Sequence, residues 1–240
     1  MKISFILPCY RRAHLLAAML PFTTAYQHPD CEVVLVLDEP GDEFKIMEIV
    51  RANPDIKFRV VVNDAEHDWR PPCIPINVGI RHAEGSHVAI LSPETAIVTN
   101  WCNHLVDLVD VAPDDCFVGS LWHIQRLPTS TADFTVAEFN APMSYTGGGF
   151  RLVPKETLES IFGYDESRTS YGGDDTDIQC RITRNGCRTV IDPNIKLFTL
   201  WHDAPRCTQP EQQPVSTKIV LNQPGWGFAF NRVTHDWRKP

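Results

Sequence analysis

Several things are missing from this chain, and each absence narrows what it can be. No apolar run approaches the ~20 residues that a helix needs to cross a bilayer. The opening stretch Met1-Lys2-Ile3-Ser4-Phe5-Ile6-Leu7-Pro8 is too short for a secretory leader and meets Arg11-Arg12 at once. It reads as a buried first strand, and the expected location is cytoplasmic. None of the eight cysteines stands in a CxxC pair. They read as reduced thiols, not as zinc ligands or disulfides. Basic residues are outnumbered, 22 Lys and Arg against 30 Asp and Glu, for a net charge of -8. That balance, with a pI near 5.5, argues against a nucleic-acid-binding surface. It leaves room for a nucleotide, because a bound divalent cation supplies positive charge locally. Internal repeats and low-complexity segments are absent too.

What is present suits one large α/β domain or two small ones. At 240 residues, with 43% hydrophobic and 22% charged residues, the chain can bury a sizeable core. Strand and helix signals alternate over the first 120 residues. Apolar runs predict strands at Ile3–Leu7, Glu32–Leu37, Phe58–Val62, His87–Leu91 and Cys116–Ser120. Helical patterns fall between them at Ala13–Ala25, Glu43–Ala52, Ile76–Ala83 and Asn103–Val109. Strands buried on both faces and alternating with helices predict a mostly parallel central sheet flanked by helices. Ligands in such sheets bind beyond the carboxyl ends of the strands. Three polar clusters follow those ends: Cys9-Tyr10-Arg11-Arg12, Asp38-Glu39 and Ser92-Pro93-Glu94-Thr95. After Ser120 the pattern loosens. Leu127–Pro142 reads as a loop, Lys155–Ile161 as a helix, and Thr189–Ile191 and Lys196–Leu200 as short strands. The Pro- and Gln-rich stretch from Thr208 reads as a surface tail.

The densest chemistry is Tyr171-Gly172-Gly173-Asp174-Asp175-Thr176, with Asp177 next. Two glycines let the backbone turn sharply and a ligand come close. They deliver three carboxylates to a predicted helix start, where negative charge is stabilised. Asp is also an ordinary helix cap, but one would satisfy the cap. Elsewhere the signals are single residues with plain alternatives. Glu94, at a strand end, can hold a divalent cation that bridges a diphosphate, or be a solvated loop acid. His202, between Trp201 and Asp203, would make with Glu94 a mixed oxygen and nitrogen site suited to manganese; spacing alone does not bring the two together. Asp38 can accept a bond from a base or ribose, or be a turn acid before Pro40-Gly41. Arg11, Arg12 and Arg70 can contact phosphate or be surface charge. Asn77 and Gly79, with Ala83 and Gly85, read as a small helix face packed on the sheet.

Taken in order, these segments resemble a family. The first half, Ile6-Leu7-Pro8-Cys9-Tyr10-Arg11-Arg12, Val34–Asp38, Asn77-Val78-Gly79, Ala83-Glu84-Gly85 and Ser92-Pro93-Glu94, is similar to the nucleotide-sugar half of GT-A glycosyltransferases of family 2. The second half carries Tyr145-Thr146-Gly147-Gly148, Gly163-Tyr164-Asp165-Glu166, Tyr171–Asp177 and Trp201-His202. It resembles the C-terminal domain of the β-1,4-galactosyltransferases. The resemblance covers roughly residues 1–205 and implies a GT-A fold: a nucleotide-sugar-binding half over 1–120, an acceptor-binding and catalytic half over 121–205, and a surface tail over 206–240. It implies Asp175 as the catalytic base and Asp174 as the acceptor contact. It assigns the donor to Pro8, Tyr10, Arg12, Asp38, Arg70, Asn77, Ser92, Tyr145, Gly147 and Gly148, and a Mn²⁺ or Mg²⁺ ion to Glu94 and His202. The family's Asp-x-Asp is here Ser92-Pro93-Glu94, and Tyr171 stands where the family has Trp.

The implied activity is an inverting, metal-dependent transfer of a hexose from a UDP-sugar to a saccharide hydroxyl. A degenerate nucleotide-sugar or glycan-binding module is the alternative. A nucleotidyltransferase ranks lowest, for the first strand is not followed by a glycine-rich loop.

Overall fold

Period-2 alternation builds the sheet. In the computed structural model, which describes residues 1–98, 101–140, 143–144, 150–170, 172–201, 214–230 and 232–239, β1 (Ile3–Cys9), β2 (Cys31–Leu37), β3 (Phe58–Val62) and β4 (His87–Leu91) run parallel in the spatial order β3-β2-β1-β4. Alternate residues serve opposite layers. Phe5, Leu7, Val33, Leu35 and Val60 pack toward α1 (Ala13–Met19), α2 (Glu43–Ala52) and, farther along, α4 (Trp101–Val111). Ile6, Val34, Val36 and Val61 pack toward α3 (Cys73–His82). Both faces are covered, so each strand is apolar throughout, as parallel strands require.

The second half changes the sheet's direction. β5 (Thr95–Ile97), β6 (Cys116–Ile124), β7 (Met143–Ser144), β8 (Phe150–Pro154) and β9 (Thr189–Leu200) complete the order β4-β8-β6-β9-β5, with β7 on β6. β8 runs antiparallel between β4 and β6, while β6 and β9 are parallel. The sheet is therefore parallel in its first block and mixed in its second. α6 (Lys155–Ser160) and α7 (Asp174–Arg184) join α3's layer, where Leu158, Ile178 and Ile182 are buried.

Differences from the predicted elements have local causes. The stretch read as a loop at 127–142 contains α5 (Ala132–Asn140). Asp133 starts it by accepting from the amides of Thr129 and Ser130 at 2.6 and 3.0 Å, and Phe134 packs on Phe198 with ring centroids 5.0 Å apart. The predicted strands at 189–191 and 196–200 are one strand with a register shift opposite Val118 and Ser120. Within 206–240, Trp226 and Phe230 are buried, and β10 (Arg232–Asp236) adds an antiparallel strand to β3's open edge. Among the described residues no helix is long and apolar enough to cross a membrane.

One buried pair ties α7 to its surroundings. Asp177 and Arg181 are 1% and 0% exposed, with Nε to Oδ2 at 2.8 Å. Arg181 also donates to the carbonyls of Gly163 at 2.7 Å and Ile219 at 3.3 Å. Asp177 accepts from the Ser216 amide at 2.8 Å, and Arg168 lies 3.4 Å from its other side. Removing one partner strands the other charge out of water. Arg181→Met should therefore cost about 3–5 kcal/mol, read as a lowered denaturation midpoint; a loss below about 1 kcal/mol would contradict this account.

Candidate functional site

Parallel pairing brings the carboxyl ends of β1, β2 and β4 to one edge. Cys9 lies opposite Leu37, and the Asp38 amide donates to the Cys9 carbonyl at 2.9 Å. The residues just past each end therefore meet. Asp38 is 2% exposed. Arg70 grips it with two nitrogens, Nε reaching Oδ2 at 3.1 Å and Nη2 reaching Oδ1. His67 stands 3.4 Å from Oδ1. The Tyr10 ring stacks on His67 at 5.4 Å, and its hydroxyl donates to the His67 carbonyl at 2.9 Å. Tyr10, Asp38 and Arg70 thus come together around His67. His67 joins them unforeseen, because a single His in an irregular segment carries no sequence signal.

The arginines after β1 are also paired across strand ends. Arg11, at a left-handed φ of 55°, forks onto Glu39 at 2.7 and 3.0 Å. Arg12 Nη1 donates to Glu94 Oε1 at 2.7 Å. Glu94 is 5% exposed and sits in a turn closed by the Thr95 amide on the Ser92 carbonyl, 3.1 Å. Pro8 lies within β1 opposite Val36. The Leu200 amide donates to the Glu94 carbonyl at 3.0 Å, so the chain leaves β9 beside Glu94. His202 itself, with Tyr145, Gly147, Gly148 and Tyr171, lies outside the described residues.

Asn77 is fully buried and both ends of its amide are engaged. Its Nδ2 donates to the Tyr164 carbonyl at 2.8 Å and to Glu166 at 2.9 Å, and its Oδ1 accepts from the Tyr164 amide at 2.7 Å. The close approach needs Gly163, at φ +67°, where a Cβ would come 2.2 Å from Asn77 Oδ1. This arrangement holds the Gly163–Glu166 loop against α3.

α7 begins where the two glycines permit. Gly172 and Gly173 have φ of 88° and 82°, and the helix opens directly at Asp174. All three acids are therefore inside its first turn, the helix starting three residues before the Asp177 start that the sequence pattern predicts, and they face the positive end of the helix dipole. Their surroundings separate them. Asp177 is committed to Arg181. Asp175 is held by Arg151, whose Nη1 donates to Oδ1 and whose Nη2 donates to the main-chain oxygen, both at 2.7 Å. Asp174 has its pKa raised, first by burial and then by the charge of Asp175. Burial, followed by the Asp174 charge, also pushes the Cys73 thiol well above its ordinary range. α7's start therefore lies near the start of α3, directly after the Arg70-Pro71-Pro72 segment.

Among the described residues no group of three or more His, Cys, Asp or Glu side chains stands ready to hold a metal ion. Glu94 is a buried carboxylate at a strand end, the type of oxygen donor that a hard divalent cation takes.

A mixed sheet flanked by helices, parallel in its first block and joined by a central antiparallel strand in its second, is the GT-A glycosyltransferase fold, here with a galactosyltransferase-like second half. A family model described as the N-terminal domain of galactosyltransferase matches residues 130–203. A chondroitin synthase of Escherichia coli is 24% identical over 229 residues, covering 77% of this chain and 32% of that protein. Among solved structures, the mannosyltransferase PcManGT of Pyrobaculum calidifontis, in complex with GDP-Man and Mn²⁺, superposes with a TM-score of 0.59 at 22% identity, covering 82% of this chain and 56% of that one. S. aureus TarS 1-349 with UDP-GlcNAc gives 0.61 at 16% identity, covering 86% and 60%. The chain thus spans about a third of the curated relative and somewhat over half of these two structures.

Asp174 yields a stability prediction with a definite sign. Its folded pKa is raised, so folding favours the protonated acid. The stabilising contribution is complete below the ordinary carboxylate pKa and is lost as pH rises through the folded value. Asp174→Asn should accordingly melt above the parent near neutral pH, and the advantage should vanish by about pH 4. A variant that melts lower at neutral pH, or an advantage constant across pH, would refute the assignment.

Proposed function

We propose that this chain transfers a hexose from a UDP-sugar to a hydroxyl of a saccharide acceptor with inversion at the anomeric carbon. The observation that carries the reading is the divided acid pair at the Gly-Gly start of α7: Asp175 on Arg151 and Asp174 half-buried beside it. Structural neighbours in complex with GDP-Man or UDP-GlcNAc support a nucleotide-sugar donor.

In this reading Tyr10, Asp38 and Arg70 take the nucleoside, with Pro8, Asn77 and Ser92 shaping the floor of its site. Tyr145, Gly147 and Gly148 contact the donor sugar and phosphates. Arg12 turns from Glu94 toward the diphosphate, which a guanidinium matches well. Glu94 and His202 would hold a divalent cation, Mn²⁺ or Mg²⁺, whose charge offsets that of the leaving diphosphate. Asp174 accepts bonds from acceptor hydroxyls and orients the nucleophile. Asp175 takes the proton from the attacking hydroxyl, which approaches the anomeric carbon from the face opposite UDP. Inversion follows from a single displacement of that geometry.

Asp175→Asn should lower turnover by roughly 10²–10⁴-fold, the share of a lost general base, with the fold intact by circular dichroism. The assay is UDP release from UDP-Gal, UDP-Glc, UDP-GalNAc and UDP-GlcNAc with Mn²⁺ and a saccharide acceptor. Unchanged turnover would remove Asp175 from that role.

For the cation, Glu94→Gln and His202→Ala should each raise the Mn²⁺ concentration needed for half-maximal UDP release. Titrations that overlay the parent's would exclude both as ligands.

The Arg12–Glu94 pair favours a second reading, in which the chain binds a nucleotide sugar or glycan without turning it over. Calorimetric binding of UDP-sugar with no UDP release, in the parent chain, would select that reading.

A further inference from the structure

Arg151 stands where a charge is hard to keep. It is the second residue of β8, opposite Ile90 of β4 on one side and Val118 of β6 on the other. It shares the face of Val153, in the layer that packs against α7. Its side chain is 2% exposed. A guanidinium buried in mid-sheet is retained only with full hydrogen bonding. Each of the three Arg151 nitrogens has a partner, from a narrow source. Besides a 3.4 Å contact from Nη1 to the Tyr164 hydroxyl, the side chain's partners among the described residues are all on α7: Asp175 twice, through Oδ1 and the main-chain oxygen at 2.7 Å, and Gln179 Oε1 at 3.2 Å, one turn on. The Asp175 side chain is 44% exposed at the other end of this grip. A rigid strand thus reaches through the layer to hold the reacting end of an accessible carboxylate.

We propose that Arg151 is a positioning residue for the transfer step. Its bonds to the carboxylate and the main chain of Asp175 fix that carboxylate's direction, so an incoming acceptor hydroxyl meets a base already aimed. The proposal rests on the reading of Asp175 as the proton acceptor. It goes beyond a helix tether, because Gln179 and the main-chain bond would tether α7 without touching the carboxylate. The part of the grip that reaches Oδ1 is the part that serves chemistry.

A double-mutant cycle separates the two roles. The proteins are the parent, Arg151→Met, Asp175→Asn and the double variant, with Arg151→Lys as a fifth. Each is assayed for kcat and KM in UDP release with the UDP-sugar the parent uses, and for thermal midpoint. Arg151→Met should lower kcat by about 10–100-fold, the usual loss from a misaimed group, with donor KM within about threefold of the parent. In the Asp175→Asn background the same change should cost less than about twofold, because the carboxylate it aims is already gone. Arg151→Lys, which keeps the charge but cannot span two acceptors with a planar fork, should fall between parent and Arg151→Met. Equal losses in both backgrounds overturn the proposal and leave Asp175 in its role, as does a loss that appears in donor KM with kcat unchanged. If Asp175→Asn itself turns over normally, the reading beneath the proposal fails, and the proposal with it. Should Arg151→Met not fold, Arg151→Lys in the two backgrounds carries the same comparison.

Discussion

Arg181 sits wholly out of water, and its guanidinium is shared by Asp177 and by carbonyls from two other stretches of chain, at Gly163 and Ile219. The site depends on that sharing. It fixes α7 against the loop after α6 and against the segment that follows residue 213. The loop is in turn locked to α3 through Asn77 and Tyr164, and α3 follows directly on the segment that bears Arg70. A change in the pair would be felt both at the acidic helix start and at the Asp38–Arg70 cluster, though neither contains Arg181. Buried ion pairs are poor stabilisers against apolar replacements. Their usefulness here is geometric: hydrogen bonds to three segments set directions that apolar packing alone would leave looser.

Electrostatics along the strand ends follow one scheme. Arg11 lies on Glu39, Arg12 on Glu94 and Arg70 on Asp38. Each guanidinium comes from one strand end or loop and each carboxylate from another, so the pairs lace the edge together. They also reconcile a net charge of -8 with a site proposed for a diphosphate. The positive charge is present but shielded, and an anion must win it from an internal carboxylate. Such exchange lowers affinity for anions at large, and favours a ligand whose other parts bind elsewhere on the same edge.

Much of the first half was legible in the sequence, because parallel strands covered on both faces are apolar runs and little else. Strands β3 and β4 and helix α2 fall at the predicted residues. The second half was harder. Phe150–Pro154 carries Arg in second place, which reads as a solvated position until β4 and β6 close on both sides of it; no local pattern announces a buried charge. α5 hides in a stretch rich in Thr, Ser and Pro, since its start depends on Asp133 reaching back to Thr129 and Ser130. At the site, Asp38, Arg70, Glu94 and Arg12 were each visible as candidates. Their pairing was not, because it joins residues 32 and 82 positions apart through strand order alone. The run at Gly172–Asp177 was legible because its signal is local: positive-φ glycines and a helix start are both written in adjacent residues.

β10 covers the outer edge of β3, and Trp237 carries on past it to donate to buried Glu32 at 2.9 Å. An uncovered edge of this kind offers a ready row of amides and carbonyls to any other extended chain. During synthesis the Val-rich β3 emerges some 170 residues before its cover, the separation of Val62 and Arg232 that pair in the sheet. Over that interval the growing polypeptide carries an open docking edge next to its most apolar strands. The cover of this edge thus arrives well after the strand that needs it, and unpaired strand edges exposed over such an interval are prone to association.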